Sequence, residues 1–242
     1  MNKITKTIDK YLYPDYQDCW DISLFKKRID EYLKPGCKVL DLGAGAGTTS
    51  ISLKDRAGYV CGIDLDQRVL QNPYLDEAKI ASAESIPYGD QTFDVVMCLH
   101  VLEHLQQPAK VFGEVNRVLK PNGIFFIKTP NKFHYVPLLS RITSEKFHKS
   151  YDKIRNRSEQ DAFSTYYRAN SKKTIERLAK STGFSVEKTE LVEGRPEYLR
   201  IIWPAYLVGA LYERVVNSSD IFEHLRVVML VTLRKIDSER FD

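Results

Sequence analysis

The sequence has no apolar run long enough to span a bilayer, no paired-cysteine motif and no strong excess of either charge. Its longest apolar stretch, 201–212, contains Pro204 and Gly209 and falls short of the roughly 20 residues a membrane helix needs. The four cysteines, Cys19, Cys37, Cys61 and Cys98, form no C-x-x-C pair, and three of them lie beside strand-like apolar runs. They read as small buried hydrophobes in a reducing compartment, not as zinc ligands or a disulfide framework. The opening Met-Asn-Lys-Ile-Thr-Lys leads into polar and aromatic residues without an apolar h-region, so no secretory signal is expected and a cytoplasmic location is. Lysine and arginine number 36 against 32 acids, a net +4, too mild to imply a nucleic-acid partner without clustering on one face. No internal repeat or low-complexity tract is present.

What is present suits one α/β domain. Hydrophobic residues make up 43% of 242, enough for a continuous core. Apolar positions at helical spacing predict a helix over about 20–33, ended by Pro35-Gly36. Short strand-like runs follow at Lys38–Leu42, Tyr59–Ile63, Lys79–Ala81, Phe93–Cys98 and Gly123–Ile127. A helix over about Pro108–Leu119 is stopped by Lys120-Pro-Asn-Gly123, Ser171–Ser181 is again helical, and Phe184–Val192 and Val227–Leu233 close the series. Strands alternating with helices predict a Rossmann-like, doubly wound, mostly parallel seven-stranded sheet with helices on both faces. The expected layout is a single domain: an N-terminal helical cap (1–35), a core (36–130), a lid-like insertion (131–169), and a C-terminal core (170–242) that carries a helical insertion (194–225).

The most informative stretch is Asp41-Leu-Gly43-Ala44-Gly45-Ala-Gly47, where strand one gives way to a helix expected from Thr48. Glycines let the backbone turn sharply and approach a ligand, and the helix start offers unpaired N–H groups. The dinucleotide fingerprint G-x-G-x-x-G fails in both registers, because its third glycine would fall on Thr48 or Ser50. No G-x-x-x-x-G-K-[ST] occurs either. An acid at the strand's end instead suits a cationic ligand, since Asp41 would attract a sulfonium or ammonium and repel a pyrophosphate. Strand two closes on Gly62-Ile-Asp64-Leu65-Asp66. Asp64 is placed to accept from two ribose hydroxyls, Leu65 to pack on an adenine face, and Asp66 to cap the helix that follows.

These motifs, with Ala83-Glu84-Ser-Ile-Pro-Tyr-Gly-Asp-Gln-Thr-Phe-Asp94 and Cys98-Leu-His-Val-Leu-Glu-His104-Leu, resemble the successive motifs of class I methyltransferases. The likeness is to the small-molecule group that includes the ubiquinone/menaquinone-biosynthesis type, and it covers about 36–130 strongly. It implies S-adenosyl-L-methionine as cofactor, with Asp41, Gly43, Ala44, Gly45 and Gly47 under its methionine part and Asp64 on its ribose. It also implies a backbone contact from Ala83 to the adenine ring, with Ser82 or Glu84 in place of the family's usual acid. Leu99 and His100 are expected to line the cleft beside the reacting sulfur.

His100-Val-Leu-Glu103-His104 matches a zinc-protease signature only when it lies on a helix; here it follows a strand. Relatives that hold a divalent metal with this cluster carry an acid where His100 stands, so no metal is assigned. His100 and His104 are candidates for a general base or for orienting the acceptor. The plainer alternative is His104 hydrogen-bonded at a helix start, with Glu103 favoured by the helix dipole.

The acceptor is expected to be a small molecule, with an anionic, sugar or lipid-like one suggested by the flanking segments. Residues 131–160 carry seven bases against three acids, including Lys146, Lys149 and Lys153, interleaved with aromatics. Residues 198–225 carry an apolar set that could meet the domain itself, a second subunit in a homodimer, or a membrane surface.

Overall fold

The computed structural model describes residues 3–16, 20–47, 53–140 and 164–237. The described residues within Met1–Ser23, Pro130–Phe163 and Leu191–Val228 form one compact unit. Those within Leu24–Thr129, Ser164–Glu190 and Met229–Asp242 form another.

The second unit is built on the expected sheet. Strands β1 (Lys38–Leu42), β2 (Tyr59–Asp64), β3 (Glu77–Ile80), β4 (Phe93–Leu99), β5 (Leu119–Pro130), β6 (Phe184–Val192) and β7 (Val228–Lys235) lie in the order β3-β2-β1-β4-β5-β7-β6. From β3 to β5 every neighbouring pair is parallel. β6 and β7 close the edge as an antiparallel hairpin, with the Gly183 carbonyl accepting from the Ile236 N–H at 2.9 Å. β1 and β4 are apolar on both faces because the central strands of a parallel sheet are covered above and below. The cover can be read from two adjacent residues of β5, whose side chains point to opposite faces. Phe126 meets Phe25 of helix α2 (Trp20–Ile29) edge-on at 4.8 Å between ring centroids. Phe125 meets Phe112 of helix α3 (Pro108–Val118) at 5.3 Å, also edge-on.

Chain order fixes where a ligand can sit. From β1 the chain runs outward to β2 and β3, then returns to lay β4 on the other side of β1. At such a reversal the crossovers leave in opposite directions and a crevice opens beyond the carboxyl ends of the strands. The glycine loop, Asp64 and Leu99-His100 all follow carboxyl ends of strands at that place. Two described clefts lie elsewhere, toward the amino ends of the strands; one of about 680 Å³ is lined by residues such as Lys34, Cys37, Asp94 and Gly123.

Several boundaries depart from expectation. α2 ends at Ile29, and 30–33 continue as turns bonded back to it, such as Leu33 N–H to the Ile29 carbonyl. β5 begins at Leu119, where Lys120-Pro-Asn-Gly123 had been expected only as a stop. A register shift between Phe93 and Val95 of β4 absorbs the extra residues. The helix expected from Thr48, with Ser50 in it, falls on 48–52, outside the described residues, and the chain re-enters at Leu53 in turns. Most of the 131–169 segment, with Lys146, Lys149 and Lys153, also lies outside them, as does Cys19. Cys37, Cys61 and Cys98 are buried free thiols.

The first unit joins distant parts of the sequence. Helix α1 (Lys3–Leu12) places Asp9 against Arg200, at 2.5 Å from its Nη2, and against the Tyr206 hydroxyl, also at 2.5 Å. Arg195 stacks over the Tyr16 ring at 3.8 Å and pairs with Glu197. Helix α4 (Tyr135–Ser140) follows His134, a buried ring whose Nε2 lies 3.3 Å from Glu193. Two more helices complete the described set: α5 (Lys172–Ser181) in the second unit and α6 (Trp203–Asn217) in the first. None of the described helices is long and apolar enough to cross a membrane.

Candidate cofactor and acceptor site

Three backbone positions after β1 take left-handed φ angles: Gly43 at 76°, Gly45 at 51° and Gly47 at 83°. Glycine adopts these at no steric cost. Space makes the same demand twice. A Cβ on Gly43 would stand 2.3 Å from Val101 Cγ2, and one on Gly47 would stand 2.6 Å from Asn72 Oδ1. The loop is fastened from β2: the Ile63 carbonyl accepts from the Gly43 and Ala44 N–H groups at 2.8 and 3.2 Å.

Asp64 closes the loop. Its Oδ2 accepts from the Gly45 N–H and its Oδ1 from the Asp66 N–H, both at 2.9 Å. An ionised carboxylate has about four acceptor positions, so two remain for hydroxyls. Asp66 caps the 3-10 turn Gln67–Gln71, accepting from the Arg68 N–H, which is the capping role its position suggested. Leu65 is 70% exposed, presenting an apolar surface beside Asp64. Asp41 lies beneath the loop, only 3% exposed. Burial, with the Asp64 charge adding to it, pushes its carboxyl up to about 8. A cation near it would draw it back toward ionisation.

Asn72 is the residue the sequence did not single out. Its side-chain amide donates to the Ala44 and Gly45 carbonyls at 3.0 and 3.3 Å, and its Oδ1 accepts from the Tyr74 N–H at 3.0 Å. The buried amide thus ties the glycine loop to the chain beyond β2. A signal was available in Asn-Pro directly after an acid-capped turn, but nothing local names a partner 28 residues away.

Beyond β3, Ala83 is half-buried, and Ser82 Oγ accepts from the Glu84 N–H at 3.1 Å, shaping its own turn. The Glu84 carboxylate lies 3.7 Å from Lys110 on α3, so its charge is directed to that helix. At the end of β4, Leu99 is half-buried. His100 holds φ at 55°, a left-handed conformation that histidine visits more readily than most residues. Its N–H donates to the Lys128 carbonyl at 2.9 Å and its Nδ1 lies 3.3 Å from Glu103 Oε1. Burial of Glu103 pushes its carboxyl up, but the His100 hydrogen bond and charge outweigh that and leave it below the usual range. His104 sits in the 3-10 turn Leu102–His104, with Nδ1 directed to the Ser164 carbonyl at 2.9 Å. The structure therefore couples His100 to Glu103 and commits one nitrogen of His104 to the backbone. Among the described residues no three His, Cys, Asp or Glu side chains are grouped to hold a metal ion.

Residues 40–127 match the family model described as a methyltransferase domain. That match covers about a third of the chain, and the Rossmann-like sheet around it is the fold of solved S-adenosylmethionine-dependent methyltransferases. Similar curated proteins include the ubiquinone biosynthesis O-methyltransferase of Colwellia psychrerythraea, 33% identical over 121 residues, 46% of this chain and 49% of that protein. The same enzyme of Pseudomonas entomophila is 35% identical over 130 residues, 48% and 55% of the two chains. The alignments thus span about half the length of these curated relatives. Similar solved structures include a SAM-dependent methyltransferase from Aquifex aeolicus, with TM-score 0.53, 18% identity and coverage of 96% of this chain and 97% of that one. The [4+2]-cyclase SpnF is another, with TM-score 0.57, 19% identity and coverage of 89% and 81%. One architecture thus serves a methyltransferase and a cyclase, so the reaction has to be argued from the site.

Proposed function

We propose that this chain is an enzyme that transfers a methyl group from S-adenosylmethionine to a small-molecule acceptor by in-line displacement. The observation that carries the proposal is the glycine loop. Three left-handed glycines, two of them closed to any side chain, are locked to Asp64 at the sheet's reversal over the buried Asp41. That cradle suits a ligand with a ribose and a positive centre, and the residues present fit S-adenosylmethionine. Asp64 would hold the ribose hydroxyls, Leu65 and the Ala83 backbone the adenine, and the Gly43–Gly47 backbone the methionine part, with Leu99 at the cleft.

When bound, S-adenosylmethionine supplies a methyl group already activated on a sulfonium sulfur. The chain's own work is then alignment, and holding the acceptor in line with the methyl contributes up to roughly 7–11 kcal/mol. His100, half-exposed at the end of β4 and coupled to Glu103, is placed to take a proton from the acceptor. His104, with Nδ1 on the Ser164 carbonyl, orients the wall that carries it. Calorimetry with S-adenosylmethionine tests the cofactor assignment: wild type binds, and Asp64→Ala weakens affinity at least about tenfold by removing the ribose acceptor. Equal affinity in the two proteins would end it. Turnover of labelled methyl on a cell extract, with the product identified by mass, then names the acceptor.

The surface of α6 favours a lipid-like acceptor or a membrane-bound one, met from the cytoplasm. Its solvent face carries Trp203, Leu207, Val208, Leu211 and Val215 with Arg214 beside them. Such a face lies stably in a bilayer's headgroup region. Flotation with anionic vesicles, lost in Leu207→Ser/Leu211→Ser, is the expected result. A protein that stays unbound and sediments as a dimer would assign the face to a second copy.

A further inference from the structure

Resting on the methyl-transfer reading, we infer that Glu103, Thr129 and Asn170 form a positioning chain that fixes which nitrogen of His100 is basic. The hydrogen bonds leave one consistent direction. The Asn170 side-chain amide donates to Thr129 Oγ1 at 2.5 Å. With that oxygen accepting, the Thr129 hydroxyl proton is directed to Glu103 Oε2, 3.2 Å away. Glu103, 5% exposed, already accepts at Oε2, and an ionised carboxylate is an acceptor only, so its Oε1 takes the proton of His100 Nδ1, 3.3 Å away. The imidazole therefore carries its proton on Nδ1 and presents the Nε2 lone pair outward. Its side chain is 47% exposed against 7% for Glu103, so the ring, unlike the carboxylate, is open to an incoming acceptor.

Three features make this an assembled device. Asn170, Thr129 and Glu103 are all buried, and they come from two different segments of one compact unit. Glu103 is further anchored through its carbonyl, which accepts from the Tyr166 and Tyr167 N–H groups at 2.7 and 3.2 Å. His100 itself is held at a left-handed φ by its N–H bond to Lys128. A base built this way serves an acceptor that has a proton to lose and is useless to one that has none. In the step, the proton on the accepting atom passes to His100 Nε2 while the bond from that atom to the methyl forms. The methyl–sulfur bond breaks with its electron pair kept by sulfur. The imidazolium formed on His100 is stabilised by the Glu103 carboxylate.

The test reads the tautomer directly, with no acceptor needed. The full chain is labelled with ¹⁵N-histidine and long-range ¹H–¹⁵N spectra are recorded near pH 8, the His100 signals being assigned by their loss in His100→Asn. Wild type is expected to show a protonated Nδ1 and an unprotonated Nε2. In Glu103→Gln and in the near-isosteric Thr129→Val, the population shifts toward the Nε2–H form. Thr129→Val keeps the test open if Glu103→Gln fails to fold. An Nε2–H tautomer in wild type, or the same spectrum in both variants, would overturn the positioning chain. Titration of S-adenosylhomocysteine into the same wild-type sample is a separate measurement: absence of binding overturns the methyl-transfer reading and with it the step assigned to His100. The two failures are thus distinguishable.

Discussion

Gly43 concentrates two demands in one residue, a φ of 76° and a methyl-sized exclusion against Val101. Gly43→Ala is expected to destabilise the protein by about 1–3 kcal/mol and to weaken S-adenosylmethionine binding at least tenfold. Adding Val101→Ala should recover part of the stability, because it relieves the clash but not the dihedral; melting curves of the three variants measure both parts. Asp41 makes a second residue-level prediction through pH. Its carboxyl is raised from an ordinary 3.8 to about 8. Between those values the folded protein keeps a proton that the unfolded chain has released, so this contribution is complete below about 4 and is lost as pH climbs to 8. Asp41→Asn should flatten that decline and leave the ligand-free protein more stable near pH 8, by about 1–3 kcal/mol. A cationic ligand reverses the preference and holds Asp41 ionised. Binding below pH 8 should then release a proton, which calorimetry in buffers of different ionisation enthalpy detects, and affinity should rise with pH by at most about tenfold per unit.

At the scale of elements, what was legible was whatever obeyed a local period. β1, β2 and β4 are short apolar runs between turn residues, and α3 puts Val111, Phe112, Val115 and Val118 on one buried face, so both kinds could be placed from spacing. β3 carries Glu-Ala-Lys-Ile with no buried position, as an edge strand permits, and only its end could be recognised. The start of β5 was hidden because Pro121 and Asn122 are stop signals, and the register shift that accommodates them depends on a partner strand. The site divides in the same way. Glycines and strand-end acids are local signals, whereas the Asn72 tether and the Glu103–Thr129–Asn170 chain depend on contacts 26 to 41 residues apart. Phe25 tests the layering: the ring is fully buried against Phe126, and Phe25→Ala should cost about 3–5 kcal/mol in denaturant unfolding.

At the scale of the whole molecule, the ion pairs of α1 are the most exacting feature. Asp9 accepts from Arg200 and from Tyr206 and lies 3.5 Å from Arg195, whose side chain is nearly fully buried. Asp9→Ala takes the shared carboxylate from two guanidinium groups in a largely desolvated place, and is expected to cost about 3 kcal/mol. Limited proteolysis followed by mass spectrometry should then show earlier cleavage within the unit that holds α1 and α6. The separation of 191 residues between Asp9 and Arg200 also bears on biosynthesis. Ribosomes add roughly 5–20 residues per second, so a nascent α1 would wait about 10–40 s for its partner to emerge. Through that interval the Asp9 carboxylate has no native guanidinium to meet, which leaves the emerging helix a client for chaperones until residues 195–206 have been added.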